Sequence, residues 1–218
     1  MCDPITVSLL IADELPLVRE GIAALCATRP GFRVAHQCAD GEQALSAIRL
    51  WQPSVAVLDS GLSALFPLDL IRIVRSEGLP SRIVLMTATA NRHLSLEALR
   101  LGASGVVLKS DPAGELLNAI QAAAEGRVYI APSLEVGASR GREAREGSSL
   151  DRLSPREYQV FNMLVEGVRA KEIAARLELS AKTVDTYRSG LMRKLDIHDV
   201  AGLVRFAIQK RIPRTLET

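Results

Sequence analysis

Five residues of a type that could handle a phosphoryl group end four apolar runs. Asp59 closes Val55-Ala-Val-Leu-Asp59, and Asp13-Glu14 follows Val7-Ser-Leu-Leu-Ile-Ala. Thr87 closes Ile83-Val-Leu-Met-Thr87, and Lys109 closes Val106-Val-Leu-Lys109. Short Val/Ile/Leu runs of this kind read as strands buried on both faces of a parallel sheet. In open parallel sheets, ligands bind at the carboxyl ends of the strands. Three carboxylates, a hydroxyl and an ammonium at such an edge suit a divalent cation and a phosphoryl group. A carboxylate can attack phosphorus to form an acyl phosphate. A lone strand-end aspartate is more often a turn residue or a helix cap. The shared edge argues against that here.

The elements that would position these groups alternate along the first 125 residues. Pro16 suits a first helical turn, and Val18, Ile22, Leu25 and Cys26 recur at helical spacing. Pro30-Gly31 breaks that helix, and Phe32–Gln37 reads as a strand. Asp40-Gly41 leads into a helix with Ala44, Leu45 and Ile48 on one face. Leu68–Val74 and Leu94–Leu101 read as helices, the latter stopped by Gly102. Asp111-Pro112 opens a last one running to about Glu125. Five β/α units predict a doubly wound α/β domain with a five-stranded parallel sheet.

Residues 133–150 change character. Gly137–Ser149 is small, charged and poor in apolar residues, so it reads as a flexible linker. The expected division is 1–132, a linker over 133–150, and 151–218. The last segment reads as all-helical. Ser154-Pro155-Arg-Glu157 has capping-box spacing. Two short helices, Lys171–Leu177 and Lys182–Leu195, meet at a tight turn, and the second is basic. This is a helix-turn-helix pattern. A fourth helix is expected over Val200–Ile208, where Leu203, Val204 and Ala207 serve either the core or a homodimer contact.

Charge follows the same division. Residues 1–132 hold 11 Lys/Arg against 13 Asp/Glu, and residues 151–218 hold 13 against 9. The basic third points to nucleic acid, though weakly by itself. On the basic helix, Lys182, Asp185, Thr186, Ser189 and Arg193 share one side, opposite Val184, Leu191 and Leu195. That side suits base edges and phosphates in a major groove. Lys182, Arg188 and Lys194 are candidate phosphate anchors. Tyr187 can direct its hydroxyl to phosphate, and Lys171, at the start of the preceding helix, either touches the DNA backbone or is a solvated lysine. Asp185 either accepts from a cytosine amino group or pairs with Arg188 or Ser189; the pairing is favoured. A basic helix face is otherwise a solvated surface.

No apolar stretch is long enough to span a bilayer. The start Met1-Cys-Asp-Pro lacks a secretory pattern, so a cytoplasmic protein is expected. Cys2, Cys26 and Cys38 have no metal-ligand spacing and read as reduced thiols, Cys26 and Cys38 buried. His198 and Asp199 suggest the start of the last helix rather than a metal site.

On these residues the chain resembles a NarL/FixJ-type response regulator over nearly its whole length. The first half resembles a flavodoxin-like receiver domain, notably Ala12-Asp-Glu-Leu-Pro-Leu-Val-Arg-Glu-Gly21. The second resembles a LuxR-type helix-turn-helix: Leu153-Ser-Pro-Arg-Glu157, Lys171-Glu-Ile-Ala174, and Lys182-Thr-Val184 through Met192-Arg-Lys-Leu195, which brings in Thr183. The resemblance implies a two-component transcription regulator, not an enzyme. Asp59 would be the phosphoacceptor, served by a sensor histidine kinase. Asp13, Glu14, Asp59 and the Gly61 carbonyl would hold Mg²⁺. Thr87 and Lys109 would contact the phosphoryl group. The partners implied are double-stranded DNA and a second copy of the chain.

Five positions depart from the family pattern. Ser63 stands in place of a proline four residues after the acceptor, and Phe66-Pro67 in place of Asp-Gly. Val106 replaces an aromatic that rotates with the threonine, and Glu14 replaces an aspartate. These departures motivate an alternative, a DNA-binding regulator that works without phosphorylation. A third reading, an aspartyl-phosphate hydrolase, lacks its general acid, because Asp59 is followed by Ser60-Gly61 rather than Asp-x-Asp.

Overall fold

The computed structural model describes residues 6–88, 90–134, 149–177 and 179–209. The expected linker falls almost wholly on 135–148, outside the described residues. The described chain forms two compact units, 6–88 with 95–134, and 90–94 with 149–209.

The first unit is a parallel sheet with helices on both faces. Its strands are β1 (Val7–Ala12), β2 (Phe32–Cys38), β3 (Val55–Asp59), β4 (Arg82–Thr87), β5 (Gly105–Leu108) and β6 (Tyr129–Ile130). Their order is β2-β1-β3-β4-β5-β6. The intervening helices are α1 (Pro16–Ala27), α2 (Gly41–Trp51), α3 (Pro67–Ser76), α4 (Arg92–Leu101) and α5 (Ala113–Ala124). The five expected strands are present. The sixth corrects the strand count: two residues are too short to show any periodicity. It exists because Tyr129 N–H and Ala131 N–H donate to Ser104 O and Val106 O along the open edge of β5.

Side chains alternate between faces with the strand period of two. Leu9, Ile11, Val55, Val57, Val84, Met86 and Val107 pack with Ile22 and Cys26 of α1 and Leu116, Ala119 and Ile120 of α5. The alternate residues Leu10, Ala56, Leu58, Ile83 and Leu85 are equally buried on the other face. Burying such a side chain stabilises by roughly 1.5–3 kcal/mol each. Continuous apolar strands are the consequence of covering both faces. Burial also pushes the Cys26 thiol up to about 11, which makes it unreactive packing.

Local signals set the helix ends. Asp40 caps α2 by accepting Gln43 N–H at 2.8 Å. Gly102, at φ 107°, terminates α4 in a conformation that L side chains avoid. Gly41 is needed for space: a Cβ there would lie 2.0 Å from the Leu65 carbonyl oxygen. The start of α2 thus presses on the loop between β3 and α3. Gly41→Ala is expected to cost about 2 kcal/mol by overpacking against backbone. Urea denaturation of the variant beside the wild type checks this.

The second unit contains α6 (Pro155–Val165), α7 (Ala170–Arg176), α8 (Ala181–Leu195) and α9 (Val200–Gln209), preceded by a 3₁₀ turn at Ser149–Arg152. The expected capping box at Ser154 and Glu157 is formed. Phe161 is fully buried, its ring 6.3 Å from Tyr158 and edge-on to Phe206 at 6.2 Å. Leu203 and Ala207 lie fully buried in this same core. Those two are packing residues, whereas Val204 of the same trio is half-buried. Asp199 accepts Gly202 N–H, so it begins α9 as expected. No helix among the described residues is long and apolar enough to cross a membrane.

Candidate functional site

The first unit gathers its polar strand ends into one acidic pocket. Asp13 directly follows β1 and is 1 % exposed. Its Oδ1 accepts Leu15 N–H at 2.9 Å, and its Oδ2 accepts Lys109 Nζ at 2.6 Å. Lys109 also lies 3.1 Å from Asp59 Oδ1. Thr87 is fully buried at the end of β4, and its carbonyl accepts Lys109 N–H at 2.7 Å. Gly61 is close enough that a Cβ on it would lie 3.1 Å from Asp59 Oδ2.

Burial pushes the Asp59 carboxyl up to about 6; Lys109 pulls it down, Asp13 raises it further, and the Gly61 N–H lowers it. Burial pulls the Lys109 ammonium down, but Asp59 and Asp13 outweigh it, so its value is raised. At neutral pH the pocket therefore holds an ionised, incompletely neutralised Asp59 carboxylate, and among the described residues Lys109 is the cation that bridges it to Asp13.

Glu14 is arranged differently from its neighbours. Its Oε1 accepts the Ser63 backbone N–H at 2.6 Å, while Oε2 is buried without a hydrogen-bond partner. Two residues outside the expected set shape this corner. Arg19 donates to the carbonyls of Asp13 and Glu14 at 2.6 and 3.1 Å and so fixes the β1–α1 loop. Ser63 contributes only backbone, which no reading of side-chain types reveals. The signal that could have found Arg19 is its place in the first turn after Pro16, five and six positions beyond the acids it serves.

The second unit presents the expected face of α8. Lys182, Asp185, Thr186, Ser189 and Arg193, with Gly190, line one open hollow of about 420 Å³. Val184, Leu191 and Leu195 are buried opposite. Asp185 lies 3.6 Å from Arg188, the pairing favoured from sequence. Lys171 is exposed on α7, whereas Thr183 and Tyr187 are half-buried.

Lys194 stands apart from the other basic residues. Its Nζ is 2.6 Å from Glu157 Oε2, which also accepts Ser154 N–H at 2.7 Å. A Cβ on Gly190 would lie 2.8 Å from Glu157 Oε1. The ion pair and this close approach tie α6 to α8. Burial raises the Glu157 carboxyl, but Lys194 and Ser154 outweigh it, so the net shift is downward. A lowered carboxyl stabilises above its unfolded value and loses that contribution as pH falls through the folded one. Glu157→Gln is expected to cost roughly 1–2 kcal/mol at neutral pH. Denaturation of the variant should approach that of the wild type in acid.

Comparison with known proteins follows the same two-part division. The description of the response regulator receiver domain matches residues 9–121, and that of the LuxR family of bacterial regulatory proteins matches 151–207. A putative transcriptional regulator of Pseudomonas aeruginosa is 33% identical over 91% of this chain and 95% of its own length. The probable transcriptional regulatory protein NarL of Mycobacterium tuberculosis is 32% identical over 96% and 97%. The fold matches RcsB from Salmonella enterica serovar Typhimurium, solved bound to promoter rprA with phosphomimetic BeF₃⁻. That match has TM-score 0.74 and 22% identity over 92% of this chain and 98% of that one. With its receiver fold carrying the acidic pocket and its helix-turn-helix following, the chain belongs to the response regulators that join a receiver domain to a LuxR-type DNA-binding domain.

Proposed function

We propose that a sensor histidine kinase phosphorylates this regulator on Asp59 and that the modification controls promoter binding. The receiver spans 1–132, a connection 133–150, and the output unit 151–218. The observation that carries the reading is Lys109 bridging Asp13 and Asp59 at the strand ends. An Asp59 carboxylate oxygen attacks phosphorus as the bond from phosphorus to the kinase imidazole breaks; the imidazole keeps the electron pair. Lys109 offsets charge on the transferred group as a mobile point cation. Thr87, turning inward, donates its hydroxyl to a phosphoryl oxygen. The chain acts as an acceptor of the group, not as a turnover enzyme.

The donor set fits Mg²⁺, which prefers oxygen ligands and keeps several waters. Among the described residues no three acidic, histidine or cysteine side chains form a ready-made metal cage. The buried, unpartnered Glu14 Oε2 is nonetheless the kind of atom that a hard cation would satisfy. Asp13, Glu14, Asp59 and the Gly61 carbonyl would hold the ion. Bound there, it would neutralise the carboxylates and the incoming phosphoryl oxygens.

The output unit reads DNA through α8. Lys182, Thr186, Ser189 and Arg193 face the major groove, with Asp185 oriented by Arg188. Thr183, Tyr187 and Lys171 contact phosphates at the margin, and Lys194 holds the helix against α6. Two copies on two half-sites follow from the symmetry of such binding. The protein works in the cytoplasm.

Intact mass after incubation with a small-molecule phosphodonor and Mg²⁺ tests the acceptor. The wild type should gain one phosphoryl group and Asp59→Asn none. Equal modification of both would overturn the assignment. A second reading has its own observation: Val106, fully buried in β5, is not an aromatic that could rotate together with Thr87. Under that reading DNA affinity is the same with and without phosphodonor.

A further inference from the structure

The loop between β3 and α3 reaches the acidic pocket through backbone donors: Gly61 N–H serves Asp59 and Ser63 N–H serves Glu14. Ser63 N–H donates to Glu14 Oε1 at 2.6 Å across 49 positions of sequence. That loop is itself braced. The Ser63 carbonyl accepts Gly41 N–H at 3.0 Å and Leu65 N–H at 2.7 Å. Ala64, between them, adopts φ 61°, a left-handed conformation unusual for a residue with a Cβ. A backbone held in such a conformation is over-determined by its surroundings. The Ser63 N–H is therefore a fixed donor, not a chance contact of a mobile loop.

The consequence falls on Glu14. Glutamate has a longer, freer side chain than aspartate and loses more rotamer entropy when it is ordered. With Oε1 occupied by the amide, that ordering is complete before any ligand arrives. Only Oε2 remains, buried and without a partner. A carboxylate held in this way offers one oxygen rather than two. Mg²⁺ demands near-octahedral geometry at short distances, whereas larger cations accept bidentate carboxylates.

We propose that Ser63 is a positioning residue for the divalent-cation site: its backbone N–H locks Glu14 so that Oε2 alone is presented to the ion. This deepens the phosphoacceptor reading and rests on it. Ser63 stands where the family pattern has proline, which carries no N–H, and Glu14 stands where it has the shorter aspartate. The two departures are then one device, a longer acid steadied by a donor that proline would remove.

The test uses the full chain, with Mg²⁺ titrated calorimetrically into wild type, Ser63→Pro and Ser63→Ala. Alanine keeps the N–H and proline deletes it. Loss of an outer-shell partner of a metal ligand typically weakens affinity 10–100-fold, so Ser63→Pro should raise the Mg²⁺ Kd by roughly 10-fold while Ser63→Ala stays within about twofold. A folded Ser63→Pro protein with wild-type affinity overturns the proposal. Should proline prevent folding, amide NMR decides: Glu14→Gln must shift the Ser63 amide proton upfield, and an unchanged resonance overturns the proposal equally. Wild type that binds no Mg²⁺ at all also overturns the proposal, while the phosphoacceptor reading is decided separately by phosphoryl gain in the intact mass of wild type against Asp59→Asn.

Discussion

Asp59→Asn is expected to stabilise the metal-free protein at neutral pH by about 3 kcal/mol. The carboxyl is 13 % exposed, and burial is the main influence on it. Asp13 beside it adds to the upward push, and Lys109 only partly offsets both. The result is a group raised from 3.8 to about 6. The sign follows from linkage. A raised carboxyl contributes stability that is fully present below its unfolded value and is lost as pH rises through the folded one. At neutral pH the folded protein therefore holds the unfavourable, ionised form. Asparagine keeps the shape and drops the charge. The measurement is thermal melting in chelator, near pH 7 and again below pH 4. The variant should melt higher in the first condition, and the difference should vanish in the second. Equal melting at neutral pH would mean that Lys109 compensates fully. Under the proposed function the same charge is the nucleophile, so stability is given up where the chemistry needs an anion.

Lys109→Met should act in the opposite direction at the same site, costing roughly 3–5 kcal/mol at neutral pH. Among the described residues Lys109 is the one cation within hydrogen-bond reach of both Asp13 and Asp59, and Asp13 is 1 % exposed. Removing it leaves two buried carboxylates facing each other. Methionine fills similar volume, so the loss reports charge rather than a cavity. The Lys109 ammonium is itself raised, so its contribution is fully present at neutral pH and is lost only in strong base. Acid should relieve the variant as Asp59, raised further without its partner, takes up a proton. Urea denaturation between about pH 5 and 8 checks this, with the defect growing as pH rises. Combining it with Asp59→Asn should cost less than the two effects added, because the residues share one network. Added Mg²⁺ should recover part of the loss, since a cation replaces a cation.

Much of this was legible without coordinates, because the signals are local. Apolar runs bounded by Pro16, Pro30-Gly31, Asp40-Gly41 and Gly102 locate the strands and helices to within a few residues. The capping box at Ser154 and Glu157 is written in four consecutive positions. The face of α8 follows from helical spacing alone, and the structure places Lys182, Asp185, Thr186, Ser189 and Arg193 on it. The strand-end location of Asp13, Asp59, Thr87 and Lys109 follows from where each apolar run stops.

What depended on the tertiary structure is non-local or made by backbone. Strand β6 consists of two residues paired along an edge, and no pattern of two residues announces itself. Lys194 looked like one more phosphate anchor on a basic helix. Folding also sets it 2.6 Å from Glu157, 37 positions away, which adds a link between helices. Leu203 and Ala207 could face a core or a partner by spacing alone; only packing distinguishes the two. Glu14 shows the limit most clearly. Sequence identified it as an acid beside Asp13. Its actual neighbour is an amide N–H in another loop, a group that every residue except proline carries. Side-chain types and spacing determine which chemistry is available to this chain. Which oxygen, which ammonium and which amide meet is decided by long-range packing, because those contacts join segments that the sequence keeps far apart.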